Sequence, residues 1–317
     1  MAQSAPGQHY RKGITIMELF KMFPDDKAAE KWFEQSRWGG KVRCAHCESE
    51  RVGEVKHPTM PYRCKDCRKH FSAKTKSLMH NSPLGYQKWA IAIYLMSTNI
   101  KGISSMKLHR ELGITQKSAW HMEHRIREAF DDNKDAFYAE VEVDETYIGG
   151  KEGNKHAHKK LNAGRGTVGK TAVVGMRDRD TGDIKAQVVE SVDRPTLHEF
   201  VADNTKQDTI VYTDEARAYK GMDRQHKAVS HSVGEYVNGQ IHTNGLESFW
   251  ALLKRGYVGT YHKMSPKHLH RYVNEFAGRY NDRPLNTRHQ MSAIVRGMDG
   301  KRLRYKDLIA ENSGRND

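Results

Sequence analysis

At 317 residues the chain has room for two or three domains, and no apolar stretch reaches membrane-spanning length, so it reads as a soluble protein without a membrane partner. A disulfide reading of its four cysteines would need an oxidising compartment. Its formal net charge of +14 points to a polyanionic partner, with nucleic acid the first candidate.

The charge is unevenly spread. Residues 41–76 hold ten Lys or Arg against four acids, and residues 254–304 hold twelve against three, with tyrosines and histidines such as Tyr257, Tyr261, His268 and Tyr272 interleaved. Both blocks suit a phosphate backbone.

Met1 to Lys12 is polar and short, and offers no secretion signal. Two short helices are predicted over 15–37, the second begun by Pro24-Asp25 and closed by Gly39-Gly40, so that 1–40 forms an N-terminal helical segment. A second segment, 41–80, carries every cysteine of the chain. Cys44, Cys47, Cys64 and Cys67 form two Cys-x-x-Cys pairs separated by sixteen residues, a spacing that fits one four-thiolate zinc ion. With four protein ligands and no open position, such a zinc is structural. Fortuitous buried thiols are the bland alternative.

From Pro83 to Phe130 the apolar period is helical, broken at Lys101-Gly102. Within 81–135 a short helix over 104–112, a turn at Gly113 and a longer helix capped by Thr115 give the layout of a helix-turn-helix, or else of an ordinary helical hairpin. Ala119, Met122, Ile126 and Ala129 share one stripe of the longer helix, which leaves Gln116, Lys117, Trp120, His124 and Arg125 outward as candidate readers of a major groove.

Strands begin at Ala139 and open the segment 136–290, which precedes a tail at 291–317. Val141 and Val143 alternate with Glu142 and Asp144, and two further strands, 171–176 and 184–189, flank a hairpin turn at 178–182. A helix over 196–204 leads to the apolar run 209–214, a buried parallel strand ending on Asp214. The stretch from Gly164 to Thr171 satisfies the P-loop pattern, but a β-type run follows it where a nucleotide site needs a helix, so it is set aside.

A helix from about Thr243 places Leu246, Phe249, Trp250 and Leu253 on one stripe, with Glu247 and Lys254 seven residues apart at its edge and Asn244 further round. Asp144, Asp214 and Glu247 thus fall on a first strand, a later central strand and a helix. That is the plan of a ribonuclease H-like mixed sheet flanked by helices, and such a carboxylate set suits two-metal phosphoryl transfer. Each acid alone has a plainer reading: a strand end, a turn start, a solvated i,i+7 partner. His156, His158, His226 and His231 show no ligand spacing.

The chain resembles DDE transposases of bacterial insertion sequences, in the subgroup with an N-terminal zinc ribbon. The resemblance rests on Phe23-Pro24 with Arg37-Trp38, the four cysteines, the run Val143 to Gly150, Tyr212-Thr213-Asp214, the run His242 to Trp250 with Leu253 to Gly256, and later His268 to Tyr272, Glu275-Phe276 and Arg279-Tyr280-Asn281 with Arg283. It implies a multidomain α/β enzyme that hydrolyses double-stranded DNA at transposon ends and joins the 3′ hydroxyls to target DNA. On that likeness Asp144, Asp214 and Glu247 hold catalytic Mg2+, for which Mn2+ can substitute. Lys254, with Arg255 beside it, is the basic residue seven positions on, where it reaches DNA. Asn244 is the alternative for the third position, and a carboxylate suits magnesium better than an amide. A homo-oligomer assembled on DNA and a bacterial cytoplasmic, nucleoid-associated location are also implied. The rival readings are a non-enzymatic zinc-ribbon regulator derived from a transposase, and a nuclease or resolvase on the same fold.

Overall fold

The computed structural model describes residues 13–130, 135–150, 153, 156–161, 166–214, 216–229 and 244–310, and divides into one unit of 1–132 with 282–317 and another of 133–281.

The first unit begins with α1 (Ile16–Met22), closed at its N-terminus by a capping box between Thr15 and Glu18, and α2 (Asp26–Trp38), capped by the Asp25 carboxylate and stopped by Gly39 in the left-handed region. These caps are the local reason that two helices form where one apolar run would suffice. Three short antiparallel strands follow, β1 (Val52–Glu54), β2 (Tyr62–Cys64) and β3 (His70–Phe71). Trp38 stands edge-on to Tyr62 and Phe71, and the Arg37 guanidinium donates to the carbonyls of Ala73 and Thr75 at 2.9 and 2.7 Å. The Arg-Trp pair therefore fastens α2 to the cysteine-bearing sheet.

Helices α3 (Tyr86–Thr98), α4 (Ser105–Leu112) and α5 (Gln116–Glu128) complete this part of the unit, with Ser104 and Thr115 capping the last two and Gly113 closing α4 in the left-handed region. Phe23, Phe33, Trp89, Ile93, Met96, Leu108 and Ile126 are fully buried in one core. The expected tail from 291 is instead structured: α9 (Thr287–Gly297) and α10 (Tyr305–Ile309) belong to this unit, and Met291, Ile294, Met298 and Leu308 join its core.

That returning segment corrects the outward face expected for α5. The stripe of Ala119, Met122 and Ile126 is buried as read, but His124 is 0% exposed and stacks edge-on with Trp120 at 4.7 Å. Trp120 is half-buried, and the carbonyl of Leu303 accepts from the Arg125 guanidinium at 3.0 Å and lies 3.1 Å from the His121 ring. Gln116 and Lys117 stay exposed, with Lys117 over the Tyr305 ring. A second element covers the side that periodicity alone assigns to solvent.

The second unit is built on a mixed five-stranded sheet of β4 (Glu140–Ile148), β5 (Thr171–Asp178), β6 (Ile184–Val189), β7 (Ile210–Asp214) and β8 (Gln225–Val229), in the order β6-β5-β4-β7-β8. The first three are antiparallel neighbours, while β7 runs parallel to β4 and β8 parallel to β7. Asp178 makes the β5–β6 turn by accepting from the amides of Asp180 and Thr181 at 2.9 and 2.8 Å. Thr171 opens a strand, so the P-loop pattern lacks its helix; Gly164 and Arg165 lie outside the described residues.

Two cores lie on the two faces of the sheet. On one, Val141, Val143 and Val211 pack with Leu197, Phe200 and Val201 of α6 (Arg194–Asn204). On the other, Ile148 and Val173 pack with Leu246, Phe249, Trp250 and Leu253 of α7 (Asn244–Gly256) and with Leu269, Val273 and Phe276 of α8 (Pro266–Asn281). Asn281 ends α8 by exchanging both hydrogen bonds with the backbone of Ile184, at 2.7 and 2.9 Å, which holds the helix to the sheet edge.

Candidate functional site

Alternation along β4 decides which acids meet. Val141 and Val143 face α6, so Glu142 and Asp144 face α7. The parallel register pairs Val141 with Val211 and Glu142 with Tyr212; continued by two residues, it sets Asp214 beside Asp144 on that same face. The end of β7 is held by the Asp214 carboxylate, which accepts from the Ala216 amide at 3.0 Å.

Asp144 is fixed from α7: the Trp250 indole N–H donates to its Oδ2 at 3.0 Å. This needs a close approach that one glycine provides. Gly175 is the β5 partner of Asp144, and a Cβ there would lie 2.6 Å from two indole carbons of Trp250 and 3.3 Å from Leu246. The ring is wedged in the core and has nowhere to move. Gly175→Ala is therefore expected to cost about 1–3 kcal/mol by overpacking, read as a lower melting temperature.

Burial pushes the Asp144 carboxyl up to about 6, with the charges of Glu145 and Asp214 adding to the effect. Glu145 points to the opposite face, where the Tyr219 hydroxyl donates to it at 2.7 Å; burial raises its pKa as well, and Asp214 raises it further. Three carboxylates thus gather about the middle of β4 and the end of β7. Trp250→Phe keeps most of the packing but removes a donor that favours the charged form, so the Asp144 pKa in the metal-free protein should rise above about 6 in a carboxyl NMR titration.

Glu247 sits in the first turn of α7, one turn before Trp250, and is exposed; Lys254 and Arg255 in the last turn are exposed too. Asn244 opens the helix, but its side chain lies outside the described residues, as do Thr243 and His242. The oxygens of Asp144, Asp214 and Glu247 do not converge to within 4.8 Å of one another. The structure brings the two aspartates to one face and places Glu247 on the helix covering that face.

Sequence reasoning missed the contacts that hold Asp144 and Glu145. Trp250 reads only as part of an apolar stripe, and Tyr219 carries no signal; the spacing of Trp250 three residues after Glu247, on one side of a helix, was the available hint. Of the histidines, His226 lies 2.8 Å from the Thr213 hydroxyl, His156 and His158 stack on each other at 5.9 Å, and His231 is outside the described residues.

The cysteines do converge. Their four sulfurs all lie within 4.8 Å of one another, with Cys44 to Cys67 at 3.6 Å and Cys47 to Cys64 at 3.7 Å. A tetrahedron with Zn–S bonds of about 2.3 Å has edges of about 3.8 Å, so this cage fits zinc. Two backbone amides, those of His46 and Cys67, donate to Cys44 and Cys64 at 3.4 Å each and support thiolate charge.

Comparison with known proteins identifies two domains in the chain. Residues 138–281 match the ISXO2-like transposase domain, ending where the second structural unit ends, and residues 24–70 match the transposase zinc-ribbon domain. An uncharacterized protein in transposable element ISH50 of Halobacterium salinarum is 28% identical over 279 residues, spanning 82% of this chain and 92% of its own length. An uncharacterized transposase-like protein of Haemophilus influenzae is 28% identical over 114 residues, spanning 35% of this chain and 91% of its own length.

Proposed function

Since the chain joins a transposase zinc ribbon to an ISXO2-like transposase domain and belongs with the insertion-sequence transposases, we propose that it cuts DNA at the ends of its element and joins the freed 3′ hydroxyls to target DNA. The observation that carries this is the pair Asp144 and Asp214, set on one face of neighbouring parallel strands, where burial and neighbouring acids keep Asp144 up near 6. A set of crowded hard oxygen donors fits divalent magnesium. Asp144, Asp214 and Glu247 would hold it, with Asn244 the alternative for the third; when bound, the metal activates the attacking oxygen and stabilises the leaving one.

The chain's own groups supply the rest. The Trp250 N–H orients Asp144. Lys254 and Arg255, exposed on the same helix as Glu247, are placed to hold the DNA backbone. The strand order and helix placement support a ribonuclease H-like reading of the second unit. On α4 and α5, a helix-turn-helix reading of double-stranded DNA rests on Gln116 and Lys117, the two reading residues still exposed. Zinc in the ribbon serves structure. The active form is a homo-oligomer assembled on DNA, working in the cytoplasm at the nucleoid.

The test incubates the full chain with Mg2+, labelled DNA bearing the element's ends and a target plasmid. Joined products are expected. Nicks without joining would favour a nuclease or resolvase, and binding without any strand breakage would favour a regulator.

A further inference from the structure

The two basic blocks of the sequence, 41–76 and 254–304, are far apart in the chain, yet their ends meet within the first unit. Lys76 and His80 face Lys301 and Arg302 across a cleft of about 370 Å³, with Glu48 and Asp299 also in its lining. Backbone bonds fix the two walls: the Leu78 amide donates to Met298 at 3.0 Å and the Gly300 amide to Lys76 at 2.9 Å, on either side of a bridge between Ser77 and Asp299. The cleft is thus preorganised.

Its charge balance is positive. Asp299 is taken up by Arg37, whose guanidinium pairs with it. Lys76 donates to the His46 carbonyl at 3.2 Å, beside the cysteine knuckle, a bond that fixes the amine and leaves its charge in place, and Lys301 donates to the Glu128 carbonyl at 2.9 Å. Arg302 is exposed and forms no ion pair among the described residues. Burial, then the charges of Arg302 and Arg125, hold the His80 pKa below its ordinary value.

We propose that this cleft is a clamp for a DNA backbone phosphate, formed jointly by the zinc knuckle and the returning loop 299–302. It rests on the transposase reading only in taking DNA as the polyanion. The clamp fixes position and not sequence, since phosphates carry no base information.

The experiment measures binding of the full, zinc-loaded chain to labelled duplex DNA by fluorescence anisotropy over a range of salt. Lys76→Ala with Arg302→Ala should weaken binding about tenfold near 0.15 M salt and lower the slope of log K against log salt by about 1. Glu48→Gln, which removes the opposing charge without touching the cations, should tighten binding about two- to fivefold. A double variant that keeps its zinc and melting temperature together with wild-type affinity and slope would overturn the clamp, as would an unchanged affinity in Glu48→Gln. Loss of inorganic phosphate binding with an unaltered DNA curve would also overturn it, by assigning the cleft to a free anion. None of these readouts needs strand breakage, so an absence of joined products would count against the proposed activity alone.

Discussion

Asp144→Asn is expected to cut Mg2+-dependent strand joining by about 10³-fold or more, and at the same time to make the zinc-loaded, magnesium-free protein more stable at pH 7. The loss follows from removing a charged metal ligand, since metal stabilisation of transition-state charge is worth several kcal/mol and each 1.36 kcal/mol is tenfold in rate. The gain in stability follows from linkage. The folded Asp144 pKa is about 6 against an ordinary value of 3.8, so between these values the native state binds more protons than the unfolded chain. Stability contributed by this group therefore falls as pH rises from about 4 to about 6, by about 3 kcal/mol in all. Asparagine carries no such penalty. Urea denaturation without magnesium should show the variant ahead of the wild type at pH 7, with the gap closing as pH falls towards 4. Magnesium must be left out of the buffer and not chelated, because a chelator would also attack the zinc ribbon. Joining activity in the wild type should fall as pH drops through about 6, where the proton competes for Asp144. A variant that joins DNA at the wild-type rate, or one less stable than the wild type at pH 7, would remove Asp144 from the centre.

What the sequence disclosed and what it concealed divide along a physical line. Contacts within one element, or set by fixed spacing, were legible: the Cys-x-x-Cys pairs, the helix start at Pro24-Asp25, the cap at Thr115, the alternation that turns Asp144 away from Val143, and the parallel strand ending on Asp214. Contacts between distant elements were not. Trp250 and Asp144 are 106 residues apart, and nothing in a periodic stripe says that one indole N–H will find a carboxylate. Gly175 likewise reads as an ordinary strand glycine until an indole is laid over it. Trp120 and Arg125 were misplaced for the same reason. The helical wheel of α5 gives the direction of each side chain, but the segment that covers it, Leu303 to Tyr305, arrives from about 180 residues later. Periodicity gives faces; only the fold assigns their neighbours.

Cys44→Ser is expected to release the zinc and unfold the ribbon, with the loss falling on DNA binding more than on chemistry. Apart from the zinc, the ribbon is held by its attachment to Arg37 and Trp38 of α2 and by a small apolar cluster. Its buried apolar cluster comprises Cys44, Ala45, Cys64 and Phe71, and its strands are two or three residues long. So small a core cannot offset the chain entropy of ordering the strands, whereas a four-thiolate zinc contributes about 10–16 kcal/mol of apparent binding free energy at neutral pH. Metal analysis should find about one zinc per wild-type chain and none in the variant. The consequence extends beyond the ribbon, because the Lys76 amine rests on the His46 carbonyl, two residues from Cys44 in the knuckle the zinc would order. With the knuckle released, the variant should lose the tenfold share of DNA affinity assigned to the phosphate clamp as well as whatever the ribbon contributes directly. Adding the Arg302→Ala change to Cys44→Ser should then weaken binding little further, since both act on one site. Full additivity of the two losses would separate the clamp from the ribbon, and zinc retained in the variant would exclude Cys44 as its ligand.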